Sequence, residues 1–280
     1  MNKNNNGAIL VFLGATAFSL GGLFVKLIDW LPIAINAGRC IFSSLIIGLY
    51  MYISKHSLKI NKTVILGAVF VNLMLLCYVT STKLTSAANA IVLEYTAPIF
   101  VIIFETLFFK RKLKILDMIA CAFVFGGICI VVLNNGLNGN IMGDFIAVLS
   151  GIFYALTIML NEFKDGDSLS SVLLGHISTA IIGLPFIFQE TNFDTNTILL
   201  VILLGVFQAG LGYTLLTVGL KKCDPVMGSL IASIEPVLNP ILVALFYKEY
   251  VSVQTIIGSI VVIGTIVVYN VLNMRYGNNE

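Results

Sequence analysis

Five residues able to carry charge or move a proton lie inside long apolar runs: Arg39, Glu94, Glu105, His176 and Glu235. Lys26 and Asp29 stand at the end of such a run. A charged side chain in hydrocarbon costs roughly 2.5–3.5 kcal/mol on insertion scales, so it faces a bundle interior, a partner or water. In that setting a carboxylate can hold an amino group or exchange a proton, and a guanidinium can hold a carboxylate. Glu235 precedes Pro236 directly and lies four residues before Asn239, on the same helix face. Glu94 lies four residues before Pro98, on a stripe that continues to Val101 and Glu105. Proline removes a helical hydrogen bond, and in a membrane the break persists where something else satisfies the backbone, often at a cavity. Pro98 and Pro236, each near an acid, point to such a cavity, whereas Pro240 fits a packing kink. For Glu105, near the end of its run, reaching to water or pairing with Lys110 or Lys112 is the simpler expectation. Asp29 and Lys26 read as a boundary pair.

The elements that must position these groups follow from composition. Of 280 residues, 58% are apolar and 11% charged, against about 45–50% and 25% in a soluble domain. Mean hydropathy is +1.00. An ordinary soluble enzyme, a disordered chain and a secreted disulfide scaffold are excluded, leaving an all-α polytopic membrane protein whose first partner is the lipid bilayer. A net charge of +2 gives no sign of a nucleic-acid partner. The five cysteines form no C-x-x-C pair and read as small hydrophobes. No A-x-A-like cleavage site follows Met1–Asn6, so the first run is expected to be a mature span. Helices crossing about 30 Å of hydrocarbon need roughly 20 residues. The sequence supplies ten transmembrane helices, at about 7–28, 33–53, 63–81, 86–109, 114–133, 142–161, 168–188, 197–219, 225–247 and 251–272. Asp224-Pro225 reads as an N-cap followed by proline at the first helical position.

With a cytoplasmic N-terminus, twelve Lys and Arg fall in inside segments and only Lys83 and Lys248 outside. The positive-inside rule therefore places both termini in the cytoplasm. Trp30, beside Pro32, reads as an anchor at the outer interface. Depth adds a second coordinate. At 1.5 Å per residue, Arg39 and Glu94 sit about 9 and 12 Å from the outer ends of their spans, and His176 and Glu235 about 12 and 15 Å from the inner ends. The matched depths fit either a polar centre near the midplane or two buried ion pairs, Arg39–Glu94 and His176–Glu235.

Sliding the chain by 138 residues superposes Lys83 on Lys221, Pro98 on Pro236, Leu107-Phe108 on Leu245-Phe246, Lys110 on Lys248 and Gly126 on Gly264. Each half, 1–137 and 138–280, holds five spans. An odd number makes the second copy enter from the opposite side, so the two five-helix repeats are inverted, as in many secondary transporters.

Residues 87–100, with their small-residue stretch leading to Pro98, and the segments Ile234-Glu235-Pro236-Val237 and Leu245-Phe246-Tyr247-Lys248-Glu249 resemble the two copies found in the drug/metabolite transporter superfamily, in particular its EamA-type ten-span members. The resemblance spans nearly the whole chain. It departs in one place: the acid after the fourth span is kept as Glu249 in the second copy but is Arg111 in the first. In such relatives the third, fourth, eighth and ninth spans wall a central cavity, aided by the first and sixth. That implication moves Tyr78, Glu94, Tyr213 and Glu235 to the front of the candidate list. Asn36, Asn72, Asn89 and Gln208 are polar residues that could line the same space but more readily serve as interhelical hydrogen bonds.

No H-E-x-x-H, no G-x-x-x-x-G-K-[ST] and no nucleophile–base constellation is evident, so neither enzyme nor ATP motor is expected, and no cofactor or metal. The expected function is a secondary active transporter of small polar metabolites such as amino acids or amines, working by alternating access in the cell membrane and coupled to protons. Export is the commoner direction by resemblance. The expected substrate-binding residues are Glu94, Glu235, Asn239, Tyr78, Tyr213, Arg39 and His176, with Glu235 and Glu94 exchanging the proton. A multidrug or quaternary-ammonium exporter is the alternative, kept open by Tyr78, Tyr95 and Tyr213, and a homodimer stays open as an assembly.

Overall fold

A computed structural model describes residues 3–85, 87–110, 114–133, 141–239, 242 and 253–276. The expectations resting on Arg111, Lys112, Pro240, Lys248 and Glu249 lie outside these residues. The first span is α1 (Lys3–Phe18) followed by α2 (Gly21–Leu27). The second is α3 (Pro32–Ile53), the third α4 (Lys62–Leu84), and the fourth α5 (Ala87–Glu94) plus α6 (Ala97–Phe109). Then come α7 (Ile115–Leu133), α8 (Ile141–Ile158) with a 3-10 turn at Met159–Asn161, and α9 (Ser168–Ile187). The eighth span is α10 (Thr195–Leu203), a π-helix at Leu204–Leu211, and α11 (Gly212–Leu220). The ninth begins with α12 (Pro225–Ala232) and resumes at residues 235–239; α13 (Val253–Tyr276) is the tenth. Among the described residues, six spans are long and apolar enough to cross a membrane, and shorter apolar helices accompany them. The protein is an all-α polytopic membrane protein.

Helix starts follow local chemistry. Asn61, Asp167, Asp194 and Asp224 each accept hydrogen bonds from the backbone amides two or three residues on. Pro32 and Pro225 begin their helices, where a missing amide hydrogen has no cost.

Packing displays the repeat. The most extensive interfaces are α4 on α8, α1 on α11, α3 on α9 and α7 on α13. Exchanging the halves turns the first pair (third span on sixth) into the second (eighth on first) and leaves the other two unchanged. The halves therefore interleave about a pseudo-two-fold axis. Glycines permit the closest approach. A Cβ on Gly14 would lie 2.9 Å from the Gly212 carbonyl oxygen, and one on Gly219 would lie 2.8 Å from that of Gly7. Backbones in hydrocarbon associate through such small-residue seams.

Among the described residues, three spans are broken by turns. Turns replace helix at 19–20, 95–96 and 233–234. The last two are the same place in the two repeats, 138 residues apart. Ser19's freed carbonyl accepts from Asn239 Nδ2 at 2.6 Å.

Side-chain bonds close both ends. At the end bearing the N-terminus, Asp167 (3% exposed) lies 3.0 Å from His56, 3.3 Å from Lys221 and 3.8 Å from Lys59. Three loops are tied to one carboxylate. At the other end Lys26 donates to the Thr85 carbonyl (3.0 Å) and Lys83 to that of Ile28 (2.6 Å). The expected Lys26–Asp29 pair is thus replaced by backbone carbonyls that the turns leave free. Trp30 also differs from expectation. It is buried, donates to the Asn192 carbonyl at 2.7 Å and packs on Phe193, so it pins the loop before α10 instead of meeting lipid. Glu105 is 2% exposed, buried among helices and not reaching to water.

Two outcomes are expected. Gly219→Ala forces the first and eighth spans apart and loses about 1–3 kcal/mol, while Gly48→Ala, with open space around it, gains up to about 1 kcal/mol; thermal unfolding in detergent separates them. Burial by itself would raise the Asp167 carboxyl, but the Ser170 amide, Lys221 and His56 outweigh it and hold it below the usual aspartate range. A depressed carboxyl adds stability above the ordinary aspartate value of about 3.9 and loses it as pH falls through its folded value. Asp167→Asn, which keeps the cap, should lower stability by about 2 kcal/mol at neutral pH and remove that acid-side loss from the pH–melting profile.

Candidate functional site

The breaks in the fourth and ninth spans place their acids. Glu94 is the last residue of α5, directly before the turn at 95–96, and Glu235 is the first helical residue after the turn at 233–234. Both face one cavity, of about 280 Å³ including its open part, together with Phe18, Met74, Tyr78, Tyr154, Gln208 and Tyr213. Each repeat contributes its first, third and fourth spans to this wall, as the family resemblance implied. The lining residues are at most 7% exposed.

Neither acid is unheld. Tyr95 Oη donates to Glu235 Oε2 at 2.5 Å, so a tyrosine of the first repeat fixes an acid of the second. Ser150 Oγ donates to Glu94 Oε1 at 2.6 Å and lies 3.2 Å from the Met74 carbonyl. Ring edges continue the wall: Tyr95 meets Tyr154 at 5.9 Å, and Tyr213 meets Phe18 at 4.7 Å.

Four of the seven expected binding residues, Glu94, Glu235, Tyr78 and Tyr213, line the cavity. The other three stand behind it. Asn239 is engaged with Ser19. His176 Nδ1 donates to the Val172 carbonyl at 2.7 Å, and its ring packs edge-on against Tyr213 at 5.0 Å. Arg39 donates through Nε to Asn36 Oδ1 (3.0 Å) and through Nη1 to Gln208 Oε1 (3.4 Å), with its Cζ 5.8 Å from the centre of the Tyr78 ring. Neither Arg39–Glu94 nor His176–Glu235 forms an ion pair among the described residues. The helix faces turn Arg39 toward Gln208 and His176 toward Tyr213. Asn36 and Asn72 serve as expected in interhelical bonding: Asn36 donates to the Leu75 carbonyl, and Asn72 exchanges bonds with Ser178 and Thr179.

Ser150 and Tyr154 on the sixth span, and Phe18 and Met74, were not picked out from sequence. Ser150 and Tyr154 fall within one small-residue helix, Gly143 to Gly151 and onward, whose only signal is a close approach to the fourth span: a Cβ on Gly151 would lie 2.7 Å from the Glu94 carbonyl oxygen. Gln208 lies in the π-helix Leu204–Leu211, a feature frequent at functional sites.

Interleaved inverted halves, broken spans and two acids on a shared central cavity define a polytopic membrane transporter. The chain belongs to the EamA-like transporter family, whose model matches it twice, over residues 5–133 and 141–271. It is 25% identical to human (Homo sapiens) solute carrier family 35 member G1, over 92% of this chain and 77% of that protein. An uncharacterized transporter, YxxF, of Bacillus subtilis is 27% identical over 58% of this chain and 54% of its own length. A solved crystal structure superposes with a TM-score of 0.79, covering 97% of this chain and 98% of the other at 16% identity, and so shares the fold.

Removing the Tyr95 hydroxyl leaves the buried Glu235 carboxyl without its donor. Tyr95→Phe should lose about 1–3 kcal/mol of stability. The check is thermal melting, with Tyr52→Phe, an 84% exposed site, as the unaffected control.

Proposed function

We propose that this protein is a secondary active exporter of small polar metabolites, amino acids or amines, in the cell membrane, with both termini cytoplasmic, and that it exchanges them for protons by alternating access. One observation carries this reading: Glu94 and Glu235, one from each repeat, face a single small cavity at the broken fourth and ninth spans. Two carboxylates in so small a space repel, and either a proton or a substrate cation relieves the repulsion. Proton and substrate then compete for the same groups, which is the requirement for obligatory exchange. A proton entering as substrate leaves brings about 2.3 kcal/mol per 100 mV of membrane potential.

The two ends give the gates their chemistry. Opening toward the N-terminal end would break the bonds that Asp167 makes to His56, Lys59 and Lys221. Opening toward the other end would release Trp30 from Asn192 and Lys26 from Thr85. The inverted repeat makes the two openings alike in energy.

A second reading, export of lipophilic or quaternary-ammonium cations, is favoured by the aromatic wall of Phe18, Tyr78, Tyr154 and Tyr213. Aromatic faces attract desolvated cations by up to about 2 kcal/mol.

The test uses the purified chain in proteoliposomes loaded with a pH-sensitive dye. Under an imposed pH gradient, L-amino acids or small amines such as ethanolamine should drive proton movement, while tetraphenylphosphonium serves as probe for the second reading. Glu235→Gln and Glu94→Gln should each reduce the coupled flux at least about tenfold. Wild-type proton coupling that survives in Glu235→Gln would sink the proton role.

A further inference from the structure

Arg39 is the largest unexplained charge in the fold. Its guanidinium stays protonated in proteins, and the residue is 0% exposed in the middle of α3. A buried charge is tolerated when it is paired and its donors are satisfied. Here the partners are neutral: Asn36 on Nε, and Gln208 on Nη1 at a long 3.4 Å. Nη2 has no hydrogen-bond partner, and neither has the hydroxyl of Tyr78, whose ring lies against the guanidinium. Among the described residues no carboxylate pairs with Arg39. A planar fork of donors in low dielectric, backed by neutral groups, is suited to one anion above others, a carboxylate.

Arg39 reaches the cavity through two lining residues. Because Gln208 turns its Oε1 to Arg39, its amide nitrogen is left as the donor on the other side, and it lies close to Gly21, as does the Tyr78 hydroxyl: a Cβ at Gly21 would stand 3.1 Å from each. The cavity therefore has a donor-rich positive side, built by Gln208 and Tyr78 over Arg39. Its negative side is Glu94 and Glu235, from the fourth and ninth spans. His176 bonds Val172 through Nδ1, leaves Nε2 without a partner and packs its ring edge-on against Tyr213.

A site with both signs facing one cavity is complementary to a small dipolar molecule. We infer that the substrate class is the zwitterionic amino acids, with the ammonium group on the Glu94–Glu235 side and the carboxylate on the Gln208–Tyr78 side. Arg39 is the positioning residue that makes the site demand a carboxylate: it orients the Gln208 amide and supplies the positive field. This rests on the transport reading above and narrows it, setting simple amines and lipophilic cations aside.

The test measures binding to the purified full chain by thermal shift. The standard L-amino acids are the first probes. Each that stabilises is then compared with its amino alcohol, which lacks the carboxylate, and its α-hydroxy acid, which lacks the ammonium group. Wild type should bind the amino acid at least about tenfold more tightly than either analogue, the size expected for losing one charged hydrogen-bonding group. Arg39→Gln should shrink the preference over the amino alcohol to within about threefold, leaving the preference over the hydroxy acid in place. Gln208→Glu covers the case in which Arg39→Gln does not fold. It gives Arg39 an internal carboxylate and should likewise abolish the preference over the amino alcohol. Were Arg39 merely structural, Gln208→Glu would satisfy it and selectivity would stay as in wild type. A wild-type preference retained in Gln208→Glu overturns the proposal. So does equal binding of amino acid and amino alcohol by wild type, or stabilisation by no amino acid. If ethanolamine still drives proton exchange in the liposomes, those last outcomes remove the carboxylate-selecting side alone and leave the transport reading standing.

Discussion

In hydrocarbon every backbone amide and carbonyl must find its partner within the protein, and the whole architecture can be read as a response to the places where this protein withholds one. Continuous helices satisfy themselves. The turns at 19–20, 95–96 and 233–234 interrupt that pattern, and each lies where other groups gather. Asn239 reaches from the ninth span to the Ser19 carbonyl, joining the first break to the third. Glu94 and Glu235 flank the other two breaks and face the same cavity. The cavity is thus a by-product of backbone departures that the surrounding polar side chains make tolerable.

Most of the fold was legible in sequence because a span announces itself by length and hydropathy alone. The start at Asp224 was legible too, since a cap is a local event. The repeat was legible in Pro98 and Pro236, which mark one break in two copies. The break at Ser19–Leu20 had no proline to announce it, and the π-helix at Leu204–Leu211 has no compositional mark at all.

The site was legible in its acids and only partly in their neighbours. Counting residues along a helix gives depth, whereas the direction of a side chain around the axis depends on packing with helices far away in sequence. Arg39 and Glu94, expected at similar depths, turn to different partners, Gln208 and Ser150. Tyr95 and Ser150 are ordinary residues for a membrane helix; their importance comes from which carboxylate each one meets, and that is decided by spans 56 and 140 residues apart.

The seam between α1 and α11 also bears on how the protein is made. Gly7 and Gly14 are synthesised early, but the surface they fit, around Gly212 and Gly219, follows about two hundred residues later. At roughly 5–20 residues per second that is a wait of about 10–40 s. During it the first helix lies in the bilayer with its backbone-exposing face covered by lipid or by the insertion machinery. The third span waits likewise for the sixth. The first repeat therefore has no finished fold of its own to reach, and assembly is completed by the arrival of the second, in an order dictated by the interleaving itself.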